Sequence, residues 1–134
     1  MPAGADVARF ASTGDASGDD VDLYVYRDGT LLEGSTGSSP EAEVTLTDPV
    51  PGSYTVYVHA ASAENGSATA GTLQTWVVPG SGAAPVTLST DAVGFAPGQK
   101  FRYSASWDDL DPDKSYLGVV TYGDTAARTL LAVN

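Results

Sequence analysis

Few residues of this chain have the type and spacing that chemistry requires. A hydroxyl nucleophile needs a histidine base beside it and an acid to orient that base. His59 is the only histidine, and Ala60-Ala61 follow it. In an alternating strand it shares a face with Tyr57, opposite Val56 and Val58, and reads as an ordinary strand histidine. There is no cysteine, which excludes disulfides, thiol catalysis and zinc-thiolate sites.

Calcium is the more serious candidate, because it wants several hard oxygens converging at about 2.3–2.6 Å. Two acidic clusters exist: Asp15, Asp19, Asp20 and Asp22; and Asp108, Asp109, Asp111 and Asp113. The second begins like an EF-hand loop, with Asp109-x-Asp111-x-Asp113. It fails further on, where Lys114 replaces the glycine and Val120 the closing glutamate. The first has no fixed spacing, and Gly14 and Gly18 make its loop costly to order. A solvated acidic loop that discourages edge pairing is expected there, with no metal and no cofactor.

Flat aromatic rings can stack on sugar faces. By alternation Tyr24, Tyr26 and Tyr57 fall on one side, opposite Leu23, Val25, Val56 and Val58. These rings, with Trp76 and Trp107, are expected in the core, since large aromatics mostly bury. A contiguous exposed tyrosine patch would make them a binding surface. Asn65-Gly66-Ser67 has the pattern of a glycosylation acceptor and reads more simply as a turn.

The elements that would carry these residues are strands throughout, with no helical period in any window. Expected strands are 7–12, 21–27, 30–35, 41–47, 53–61, 72–78, 85–90, 100–108, 115–122 and 128–133. Asp28-Gly29 supplies the two positive-φ residues of a type I′ turn, so its flanks should form a tight hairpin. That register sets Tyr26 opposite Leu31 and Val25 opposite Leu32. In Asp48-Pro49 through Tyr54, and again in Leu110-Asp111-Pro112 through Tyr116, a turn proline precedes a tyrosine that opens a strand. This is the pattern of the tyrosine corner, whose hydroxyl bonds backbone a few residues upstream. The fold class is therefore an all-β antiparallel sandwich of about ten strands, jelly-roll or fibronectin-like.

The chain has 134 residues, 42% of them hydrophobic, with 15 glycines and 8 prolines; that fits one domain rich in turns. Pro79 to Pro85 is the one linker-like stretch. Four strands after it bury little alone, so residues 81–134 are expected to pack on 1–80 in a single unit, 1–134. Net charge is −11, which repels nucleic acid and anionic lipid, so neither is an expected partner. No apolar run nears the roughly 18 residues of a membrane span. Met1 to Gly4 lacks the features of a signal peptide; if the parent protein is exported, its signal is expected upstream.

Several blocks resemble one family. Pro2-Ala3-Gly4 with Val7-Ala8-Arg9-Phe10, the run Asp20 to Tyr26, and Pro51 to His59 are similar to the C-terminal region of secreted actinobacterial subtilisin-like serine proteases. The first part resembles the bacterial pre-peptidase C-terminal domain, a jelly-roll-like sandwich. Ser106-Trp107 and Leu110 to Val120 resemble the segment that follows it. The D-[ST]-G, H-G-T-H and G-T-S-M blocks of such proteases are missing. The resemblance implies a non-catalytic accessory domain of an exported protease, aiding folding, secretion, stability or substrate capture. Its partner would be the catalytic domain of the same parent chain. The alternative is a module that binds polysaccharide or protein substrate. Some relatives in the pre-peptidase group bind calcium near a loop such as Asp15–Asp22.

Overall fold

The structure is a computed structural model that describes residues 1–64, 66, 69–81, 86–90, 94 and 96–134. Period-two alternation of apolar and polar residues generates its strands. They are β1 (Ala5–Gly14), β2 (Asp20–Arg27), β3 (Thr30–Ser35), β4 (Glu41–Thr47), β5 (Tyr54–Ser62), β6 (Gly71–Pro79), β7 (Val86–Leu88), β8 (Ala105–Trp107), β9 (Tyr116–Thr121) and β10 (Arg128–Val133). The fold is all-β, and every strand pair is antiparallel. The chain divides into two compact units, Met1–Ser81 and Gly82–Asn134.

In the first unit two three-stranded sheets, ordered β4-β1-β6 and β3-β2-β5, face each other as a sandwich. Ala8 and Phe10 of β1, Ala42 and Val44 of β4, and Leu23 and Val25 of β2 fill the space between them. Leu23, Val25 and Ala8 are wholly buried; apolar area withdrawn from water is the main force closing the sheets. On the outer side of β1, Arg9 pairs with Glu43 of β4 at 3.2 Å.

The β2–β3 hairpin turns at Asp28 (φ 50°) and Gly29 (φ 78°), as the Asp-Gly pair predicts. Tyr26 stands opposite Leu31, also as expected, but Val25 does not meet Leu32. A bulge follows, and Val25 is paired with Glu33. Two adjacent leucines cannot both point inward from a pleated strand; the bulge leaves both about half exposed, Leu31 at 49% and Leu32 at 43%.

Both tyrosine corners are present. The Tyr54 hydroxyl donates to the Val50 carbonyl at 2.7 Å, and the Tyr116 hydroxyl accepts the Asp111 amide at 3.0 Å. The Asp109–Asp113 stretch is thus the turn of the second corner, with Lys114 Nζ 3.3 Å from Asp111.

In the second unit β7 pairs with β8 and β9 with β10. The expected strand 100–108 shortens to Ala105–Trp107; just before it the Ser104 carbonyl accepts the Ser89 amide at 2.8 Å and the Ser104 amide donates to the Ser89 hydroxyl at 2.9 Å. Tyr122 donates or accepts at both Tyr103 (2.8 Å) and Thr129 (2.6 Å) through its hydroxyl. Trp107 is 38% exposed, contrary to the core position expected for it. Asn65 and Ser67 of the acceptor pattern, and most of the 79–85 stretch, lie outside the described residues.

Candidate functional site

The outer face of the β3-β2-β5 sheet gathers most of the chemistry-bearing side chains. Alternation sends Leu23 and Val25 into the core, so Asp22, Tyr24 and Tyr26 must face outward. The β2–β5 register sets His59 opposite Asp22, Tyr57 opposite Tyr24 and Thr55 opposite Tyr26. One strip therefore runs from a tyrosine cluster to an acid–histidine pair.

At one end Tyr26 and Tyr57 meet edge to face, with centroids 5.5 Å apart and planes at 89°. Tyr24, Tyr26, Tyr57, Thr55 and Gly29 line a shallow hollow. Tyr57 is 58% exposed and Tyr24 and Tyr26 are half-buried on this outer face, so the three rings do not lie in the core between the sheets as expected. Leu23, Val25 and Phe10 already occupy the inner space, and strand alternation leaves the rings no way in. Tyr24 lies over Gly34 of β3, where a Cβ would come within 3.1 Å of its ring. The missing side chain lets the ring settle on the sheet.

At the other end Asp22 is a buried carboxylate on an otherwise open face. The Tyr24 hydroxyl donates to its Oδ2 at 3.1 Å, and His59 Nδ1 stands 3.2 Å from the same oxygen. The His59 contact, aided by Tyr24 and the Gly37 amide, holds the Asp22 carboxyl below the usual aspartate value. Desolvation, then the Asp22 charge, pushes the Tyr24 hydroxyl upward. The arrangement offers ring faces for stacking, a carboxylate to accept hydroxyls or amines, and an oriented imidazole. Among the described residues no hydroxyl is hydrogen-bonded to His59.

The acidic loop differs from the expected solvated loop. Asp15 is exposed, but Asp19 is 4% exposed. Asp19 accepts the Ala16 amide (3.1 Å), the Glu64 amide (3.0 Å) and the Thr69 hydroxyl. Those bonds, Thr69 foremost, lower its pKa. The Gly18 amide donates to Glu64 at 3.0 Å, so the β1–β2 and β5–β6 loops are laced together. Gly14 and Gly18 serve close approach: a Cβ on either would lie within 3.0 Å of Asp19 or Glu64. The four acids do not converge, since Asp19 turns to the loops and Asp22 to His59. Among the described residues no three acidic or histidine side chains form a metal-holding group.

No family model, curated protein or solved structure matches the chain.

The Asp22–His59 pair escapes a residue-by-residue reading because it depends on the β2–β5 register. A signal was nevertheless present. Asp22-Leu23-Tyr24 and Tyr57-Val58-His59 run in mirrored order, so pairing the two tyrosines brings acid to histidine.

Proposed function

We propose that this chain is a non-catalytic accessory module of a secreted subtilisin-like serine protease, holding substrate beside the catalytic domain of the same parent chain. The observation that carries the reading is the outward tyrosine cluster, in which exposed Tyr57 joins half-buried Tyr24 and Tyr26 around a shallow hollow. Aromatic rings grouped on the outer face of a sheet favour a capture surface over a purely structural role. The resemblance of the Asp20–Tyr26 and Pro51–His59 blocks supplies the parent class and the extracellular setting.

A second reading has the same rings stacking on sugar faces, with Asp22 and His59 meeting ring hydroxyls. The polar end of the strip favours it, and the test separates the two. The purified chain is passed over immobilised gelatin and over cellulose, beside its Tyr26→Ala and Tyr57→Ala variants. Retention on gelatin that either variant abolishes supports protein capture; retention on cellulose alone supports the sugar reading. Retention indifferent to both variants, or none on either matrix, removes the capture role. Hydrolysis of casein that responds to a serine-directed inhibitor overturns the non-catalytic assignment.

A further inference from the structure

The first unit is closed on one side and open on the other. Its sheets approach each other most closely through β1, β2 and β4, with β3 against β4, and β5 and β6 are not among the closely packed pairs. Both are edge strands. Val58 of β5 stands opposite Leu23, Leu73 of β6 opposite Ser12, and Val77 opposite Ala8. Those three partners are buried to 2% exposure or less, so the apolar side chains across from them point toward the core side. Yet Val58 is 47% exposed, Leu73 46% and Val77 40%. A hollow lined by Val21, Val58, Ala60, Gly71 and Leu73 among others lies between the two edges.

The edges also differ in how they are guarded. Unpaired strands normally carry charges or prolines that prevent another strand from adding on. On the closed side β3 carries Glu33, and β4 carries Glu41 and Glu43. Neither β5 nor β6 contains any Asp, Glu, Lys or Arg, and the single proline is Pro79 at the end of β6. Two bare edges and a row of half-covered apolar side chains match the two requirements of strand addition, backbone pairing and pockets for alternate residues.

Charge selects the occupant. Residues Met1–Ser81 hold eleven of the chain's acids against Arg9 and Arg27, and both arginines are paired, with Glu43 and Asp28. A second copy would bring the same acidic unit against this one. A basic strand would be attracted.

We propose that the opening between β5 and β6 receives an extended strand of a partner protein, apolar at the positions facing inward and basic at those facing out. The tyrosine face is not involved. The probe is a short peptide alternating valine with lysine, titrated into the full chain by calorimetry while amide exchange is followed. Expected are saturable binding, slowed exchange along β5 and β6, and no effect of Tyr26→Ala. Leu73→Lys, which sets a charge in the opening, should weaken binding by about tenfold or more; the milder Val58→Thr should weaken it less. Unchanged melting temperatures certify that both variants fold, and if Leu73→Lys does not, Val58→Thr decides. Four results overturn the proposal: no binding, binding insensitive to the folded variants, equal binding of a peptide with its valines blocked together, or a concentration-dependent dimer that the peptide cannot dissociate.

Discussion

His59 faces Asp22 across the β2–β5 ladder, its Nδ1 3.2 Å from Oδ2. The carboxylate is buried while the ring is mostly in solvent, so the pair joins the sheet surface to a charge beneath it. Asp22 and Asp19 both have pKa values below the ordinary aspartate value, Asp22 through His59 and Asp19 through Thr69. A carboxyl depressed on folding adds stability above its unfolded value, near pH 4, and that stability is lost as pH falls through the lower folded value. Melting temperature should therefore hold to about pH 4 and drop below it. Asp19→Asn and Asp22→Asn should each flatten that drop and lower the melting temperature at neutral pH, which thermal melts across about pH 2–7 measure.

The two corners make opposite use of the same group. Tyr54 donates its hydroxyl proton to a carbonyl, whereas Tyr116 accepts from an amide. Tyr54→Phe and Tyr116→Phe should each cost about 1 kcal/mol, the net value of one such bond. The costs should add in the double variant, since the residues share no partner. Chemical denaturation of the four proteins measures this.

Gly71 sits where β6 leaves the loop, and a Cβ there would lie 2.4 Å from the Thr13 carbonyl oxygen. The obstacle is the β1 backbone at Thr13 and Gly14, which cannot swing aside as a side chain could. Gly71→Ala should destabilise by about 2 kcal/mol, while Ala at Gly37, which has open space around it, should be nearly neutral. Thermal melts of the two variants test the contrast.

Asp19 directs both carboxylate oxygens at N–H and O–H donors. A calcium ion would have to displace the Ala16, Glu64 and Thr69 groups to reach them. Millimolar calcium should shift the melting temperature no more than magnesium at equal ionic strength. A larger calcium-specific shift, lost in Asp20→Ala with Asp22→Ala, would make this loop a metal site.

Strand positions were legible because alternation and turn residues are local signals. Asp28-Gly29 dictated the turn, and Pro49 and Pro112 marked the corners. What lay beyond reach depended on how strands meet. The bulge at Leu32 arises from a choice between two leucines that only the packed sheet makes. The outward tyrosines follow from the inner space being filled by residues such as Phe10, on another strand. Asp19 looked like one more solvated acid because its donors Glu64 and Thr69 are some fifty residues away.

The seat of Tyr24 has a consequence for how the face would recognise anything. Its ring rests over Gly34 and its hydroxyl is tethered to Asp22, so two torsions are already frozen before a ligand arrives. Tyr57, more exposed, keeps more of its rotational freedom. Contacts made on Tyr24 therefore carry little entropic penalty, and those on Tyr57 carry more. Stiffening Tyr57 by enlarging a neighbour should sharpen affinity where adding contacts to Tyr24 would not. The face is half rigid template and half adjustable finger.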